Sequence, residues 1–202
     1  MRRAINILLG NEEKLHDYQG SYYQILVEQY RYSEVPYIDL QEGIKKKTVK
    51  ASRQISLIDG IHPCSTSKRD ITGLYGRPVY DIRKLSTFKN EILMYRRISS
   101  GKYRERIEMH LYNDRLFYFS FHFPYLSNDS EKQDVIRSIE DKYLDGRNFN
   151  YNEFDIEDEN RTIISIDDCF ILKINHVCLS SDFFSELSSF KENVDSTGEF
   201  TL

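Results

Sequence analysis

The chain has 202 residues, 28 Lys+Arg against 32 Asp+Glu, and a formal net charge of −4; the bulk charge argues against a general nucleic-acid binder. Hydrophobic residues at 40% and aromatics at 13%, without Trp, place it on the globular side of the disorder boundary. The length suits one good-sized domain or two small ones.

The three cysteines are odd in number and include no C-x-x-C pair. That disfavours a disulfide framework or a zinc ribbon and makes a reducing, cytoplasmic compartment the default. At the N-terminus, Met1-Arg2-Arg3 and the apolar run Ala4 to Leu9 imitate a signal peptide. Asn6 interrupts that run and Gly10-Asn11-Glu12-Glu13 ends it, so it falls short of a usual apolar region. No transmembrane span is expected, and the chain reads as soluble unless a leader was trimmed.

Ser21-Tyr22-Tyr23-Gln24 has the spacing of a capping box, and Tyr22, Ile25, Leu26 and Tyr30 share a helical face, which predicts a helix to about residue 32. Val35-Pro36 interrupts it, and a short extended piece follows at Tyr37 to Leu40. Next comes the basic run Lys45-Lys46-Lys47, continued by Lys50 and Arg53. These five are the candidate partner-binding residues. The stretch lacks the arginine and aromatic interleaving of a base-stacking platform, so contact with an acidic protein surface, the chain's own C-terminal half among the candidates, is expected at least as much as contact with nucleic acid. Charge is polarised along the chain: residues 1–123 carry 21 Lys+Arg against 14 Asp+Glu (+7), and residues 124–202 carry 7 against 18 (−11).

Residues 65–78, STSKRDITGLYGRP, look like a motif but are accounted for as helix punctuation. Ser67 suits the N-cap with Asp70 three positions on, Ile71 and Leu74 share a face, Gly76 suits the C-terminal left-handed position, and Pro78 forbids continuation. Neither G-x-G-x-x-G nor a Gly-Lys-Ser/Thr ending is present. Strand periodicity begins near residue 88 with Ile92 to Tyr95, then a Ser99-Ser100-Gly101 turn, then Ile107, Met109 and Leu111. Phe117, Phe119, Phe121 and Phe123 alternate next. A two-residue Asn113-Asp114 loop would set the two apolar rows on opposite faces, so a three-residue loop, 112–114, is expected, pairing Met109 with Phe117 and Ile107 with Phe119.

Pro124 ends that strand, and a helix follows from Ser127–Ser130 to Asp145-Gly146, with Val135, Ile136, Ile139 and Tyr143 on one face. A second hairpin, Thr162 to Ile166 and Cys169 to Leu179 about Asp167-Asp168, is apolar on both faces and reads as interior. A short last helix spans Ser181 to Phe190, with fraying beyond Lys191. Strands adjacent in sequence imply an α+β fold, a twisted antiparallel β meander with two or three helices packed on one face. The expected division is 1–54, an N-terminal helical segment and basic loop; 55–180, the core domain; and 181–202, a short helix and tail. Helix followed by strands occurs twice, over 67–123 and 130–178, in the manner of a diverged duplication.

The order Gly60, then Ser67-Lys-Arg-Asp-Ile-Thr-Gly-Leu-Tyr-Gly-Arg-Pro78, then consecutive strands resembles the SmpA/OmlA outer-membrane-lipoprotein class and the related β-lactamase-inhibitor-like fold. The resemblance covers residues 55–123 and implies a non-catalytic module that works by binding other proteins. The chain has no lipid-attachment cysteine after a leader, so an envelope location is not implied.

Catalytic signatures are absent: Cys64 beside His62 reads as an ordinary loop pair, and nothing like G-x-S-x-G occurs. Asp155, Glu157, Asp158 and Glu159 lack the glycine and end position of a calcium loop and read as a solvated acidic turn. Arg106, Glu108, His110, Tyr118, Ser120 and His122 fall on one face of the first hairpin, where a histidine beside a carboxylate can serve as a general base. Alternation of this kind is also the mark of a half-solvated sheet surface, which is the expectation here. His16 and His176 have no suggestive neighbours. No catalytic residue, metal ligand or cofactor is assigned. The expected function is a non-enzymatic protein-binding module of the inhibitor or immunity type. Its rivals are a nucleic-acid-associated protein using Lys45 to Arg53 and an enzyme whose site is assembled from distant residues.

Overall fold

The alternating segments from residue 90 onward build the middle of one sheet. The computed structural model describes residues 22–31, 33–99, 102–126 and 128–197. The strands are β1 (Lys47–Lys50), β2 (Tyr80–Leu85), β3 (Asn90–Ser99), β4 (Tyr103–Tyr112), β5 (Arg115–Phe123), β6 (Phe154–Glu157), β7 (Thr162–Asp167) and β8 (Leu172–Cys178). They form one sheet in the order β1-β6-β7-β8-β5-β4-β3-β2, with β1 parallel to β6 and the other pairings antiparallel. The helices are α1 (residues 22–30), α2 (Val35–Gly43), α3 (Lys68–Tyr75), α4 (Asp129–Tyr143) and α5 (Asp182–Thr197), with a 3-10 turn at Pro63–Ser65. The leader-like stretch 1–9, His16, the Ser21 cap and the Ser100-Gly101 turn lie outside the described residues.

The class is α+β and the sheet mostly antiparallel. Two finer expectations are corrected: β1 makes the sheet mixed, and helices cover both of its faces. The reason lies in the strands, which are apolar on both sides. On one face Ile107, Met109 and Phe119 pack with Ile71 of α3, while Ile164, Leu172 and Ile174 pack with Val135, Ile136 and Ile139 of α4. On the other, Ile92, Tyr118 and Val177 meet Leu26 and Tyr30 of α1, Tyr37 of α2, and Phe183, Phe184 and Leu187 of α5.

α3 is bounded as its sequence demands. Ser67 and Asp70 form a reciprocal capping box, and Gly76, at φ +76°, takes the left-handed position after the last turn. α4 starts at Asn128, whose side chain accepts from the Glu131 N–H at 3.0 Å. α2 replaces the expected extended piece at Tyr37 to Leu40. Pro36 sits in its first turn, where a missing N–H has no helical partner to lose, so Val35-Pro36 opens a helix as well as closing one. α5 runs on to Thr197, past the expected fraying at Lys191.

The first hairpin corrects the expected register. Tyr112 pairs with Arg115 across a two-residue turn, with Asn113 (φ 49°) and Asp114 (φ 62°) both left-handed. The parity conflict is resolved within the strand: a bulge between His110 and Leu111 makes Phe117 the extra residue, so Met109 faces Phe119 and Ile107 faces Phe121. Phe117 thereby joins Tyr118 on the α5 side and stacks on Phe183 at 3.9 Å between ring centres.

α3 followed by β2–β5 and α4 followed by β6–β8 give two helix-plus-meander units, with both helices on one face and the last strands, β5 and β8, paired. Cys64 and Cys178 are joined as a disulfide, although the number and spacing of the cysteines disfavour a disulfide framework. They are 114 residues apart, and only the end of β8 brings them together. Among the described residues no helix is long and apolar enough to cross a membrane.

Candidate functional site

The sheet face beneath α1 and α2 carries a polar row. Arg106, Glu108 and His110 of β4 stand opposite His122, Ser120 and Tyr118 of β5, and these stand opposite Lys173, Asn175 and Val177 of β8. Asn175 faces Ser165 on β7. The expected half-solvated surface is corrected: Glu108 is 2% exposed, His110 and Ser120 0%, and Arg106 and His122 6%. Tyrosines on the helices supply the cover. The Tyr22 hydroxyl donates to Glu108 Oε1, the Arg106 guanidinium lies 3.7 Å from the centre of the Tyr22 ring, and the Tyr37 hydroxyl meets His110 Nδ1 at 3.0 Å.

Glu108 is the hub. His122 Nε2 lies 3.4 Å from its Oε1 and His110 Nε2 3.6 Å from its Oε2. Burial alone would raise its carboxyl, but His122, His110 and Lys173 outweigh that and hold it low and ionised. Burial pushes His122 down to about 4 against the pull of Glu108, and lowers His110 as well, so both rings are neutral at pH 7. Burial, with Glu108 adding, pushes the Tyr22 hydroxyl far up. At pH 7 an ionised carboxylate thus lies 3.4 and 3.6 Å from two neutral imidazoles and accepts from a phenol.

His176 lies on the opposite face, stacked on Phe119 at 4.2 Å, and burial, with Lys142 adding, pushes it down to about 3. Both His122 and His176 resist protonation when folded, whereas unfolded histidine titrates near pH 6.5. Their stabilisation is therefore complete above about pH 6.5 and is lost as pH falls toward 4, on the order of 3 kcal/mol for each ring. Thermal melts between pH 7 and pH 4 are expected to show a falling midpoint, with a shallower fall in His176→Leu. A midpoint flat across that range would refute the assignment.

The predicted basic residues divide. Lys46 turns inward, its Nζ donating to Tyr151 O at 2.8 Å and Ile166 O at 3.3 Å and lying 3.5 Å from Asp155. Lys47 and Lys50 are exposed on β1, an edge strand, where lysine discourages pairing with another chain. Lys50 also lines a cleft with Arg147, Leu144 and Phe149. Lys45 and Arg53 are exposed.

The expected solvated acidic turn is corrected in part. Asp155 is wholly buried beside Lys46, and burial raises its carboxyl. Asp158, 5% exposed, accepts from the backbone N–H groups of Ile55, Asn160 and Thr162 at 2.8 to 3.0 Å. It organises the β6–β7 turn, while Glu159 stays exposed.

One end of the sheet is apolar and open. Phe170, in the β7–β8 connection, is 102% exposed, Tyr125 59% and Ile98 61%. Ile98 pairs with Arg104 and Phe123 with Leu172 at the same end of their ladders, which puts Ile98, Tyr125 and Phe170 at one end of the sheet. Asp167, Asp168 and Asp129 are near it. Lys132 bridges Asp168 at 2.6 Å, and Asp129 lies close to Lys132. The exposed Cys169 is a poor nucleophile there, because the Asp167 carboxylate pushes its thiol up.

Comparison with protein-family models, with curated proteins and with solved structures finds no match to this chain.

Proposed function

We propose that this chain is a protein-binding module that docks through the rim formed by Phe170, Tyr125 and Ile98. The observation that carries the reading is Phe170, a large aromatic side chain wholly in water at a strand connection, with Tyr125 and Ile98 at the same end of the sheet. Such a side chain contributes nothing to the core, whereas aromatic anchors that enter a partner's pocket dominate binding energy. The neighbouring Asp129 and Asp167 select a partner with a basic border around an apolar pocket, Asp168 being paired with Lys132. In this reading the chain acts by covering its partner, as an inhibitor or immunity-type protein does, and carries out no chemistry on it.

Truncating both aromatics, Phe170→Ala with Tyr125→Ala, is expected to weaken binding at least about thirtyfold, since one such anchor is worth about 2 kcal/mol or more. The melting temperature should not change. A partner held instead by the lysine run would keep its affinity in that variant and lose it on Lys45→Glu, Lys47→Glu and Lys50→Glu.

A second reading, an enzyme using the Glu108 cluster to move protons, is favoured by the buried carboxylate lying within 3.6 Å of two imidazoles. Glu108→Gln separates the two readings. It would abolish turnover under the second and leave complex formation intact under the first.

A further inference from the structure

At the other end of the sheet lies a sulfur site that the docking rim does not use. Cys64, in the 3-10 turn, is half-buried, and Cys178, the last residue of β8, is buried. His62 stands beside the bond between them. Its Nδ1 accepts the Cys64 backbone N–H at 3.3 Å, so the neutral ring carries its proton on Nε2. That nitrogen faces Cys178 Sγ at 4.0 Å and Thr162 Oγ1 at 3.5 Å. The Ser180 hydroxyl adds a second donor, 3.6 Å from Cys178 Sγ. The arrangement is asymmetric: Cys64 is the more exposed residue of the pair, and the Ser180 hydroxyl lies nearer Cys178 Sγ, at 3.6 Å against 4.0 Å from Cys64 Sγ.

We propose that His62, Cys64 and Cys178 form a thiol–disulfide exchange site whose substrate is a dithiol. One thiolate of the dithiol attacks Cys64 Sγ and forms a mixed disulfide. The Cys64–Cys178 bond breaks, and its electron pair leaves on Cys178 Sγ, where His62 Nε2–H and the Ser180 hydroxyl hold the new thiolate. The second thiolate then attacks the dithiol's own sulfur in the mixed disulfide, closing the dithiol into a disulfide and releasing Cys64 as a thiolate. Two electrons have passed from the dithiol to the protein, and two protons from solvent complete its thiols. In the reverse sequence a disulfide substrate takes up two electrons and leaves as a dithiol, while Cys64 and Cys178 close again to their disulfide.

One nitrogen and two sulfurs within 4.8 Å of one another are also a ligand set for a soft cation such as zinc. The Cys64 N–H on Nδ1 favours exchange, because it leaves the ring proton on the nitrogen such an ion would need.

The test uses the full chain with Cys169→Ser, which removes the other thiol. The folded protein is treated with dithiothreitol, quenched by alkylation and weighed by mass spectrometry, with circular dichroism followed in parallel. Two thiols are expected to appear while the fold persists. The rate should fall about tenfold in His62→Ala, as the leaving thiolate loses its donor, and Cys178 in the reduced variant should ionise at higher pH by thiolate absorbance. Reduction that occurs only in denaturant would make the bond purely structural and overturn the proposal. So would an unchanged rate in a folded His62→Ala, or stoichiometric zinc binding by the reduced pair that blocks reoxidation.

Discussion

Phe119→Asp is expected to abolish folding. Phe119 is 1% exposed, faces Met109 across β4 and β5, and stacks on His176. An aspartate there places an unpaired carboxylate among aromatic and aliphatic side chains, at a cost of several kcal/mol against a total stability of about 5 to 15. Circular dichroism should show no cooperative melt at room temperature or above. Phe170→Asp, at the open rim, is the control and should melt like the parent. A cooperatively melting Phe119→Asp would contradict the register of the first hairpin.

Glu108→Ala is the second large effect, with an expected loss of about 3 to 5 kcal/mol, the range for removing one partner of a buried charge network. The change leaves the Tyr22 hydroxyl without its acceptor and removes one of the groups that, after Tyr118, hold the Lys173 ammonium charged despite burial. Glu108→Gln keeps an acceptor for Tyr22 and should fall between the two. Chemical denaturation at pH 7 measures both variants. A Glu108→Ala protein within about 1 kcal/mol of the parent would mean that the row is solvated and that α1 does not cover it.

The course of the chain was legible wherever local chemistry decides the structure. Ser67, Asp70 and Gly76 bound α3, and Val135, Ile136, Ile139 and Tyr143 mark α4 because their partners lie within one helix face. The hairpin register was not, because a bulge at Phe117 depends on the twist of the paired strands and leaves no residue of its own in a phenylalanine row. β1, β2 and β6 are short and rich in charge, and pairing rather than pattern makes them strands.

In the sequence the buried polar row looks like surface for a related reason. Alternating polar residues look the same under water as under a helix. The signal that could have separated the two was the tyrosines of α1 and α2: Tyr22, Tyr30 and Tyr37 each carry an apolar body with a hydroxyl that wants a partner, which suits a helix lying on polar strands. Cys64 and Cys178, 114 residues apart, offered no local sign of their bond. The docking rim likewise appears only when β3, β5 and the β7–β8 connection are placed side by side.

Binding of a protein through the Phe170 rim is tested by placing a photo-crosslinking amino acid at position 170 and, in a parallel sample, at position 50, each in the full chain inside its native cells. One discrete crosslinked protein is expected from position 170 and none from position 50, with the crosslink lost when Tyr125→Ala is added. A discrete partner at position 50 with none at position 170 would contradict binding through the rim.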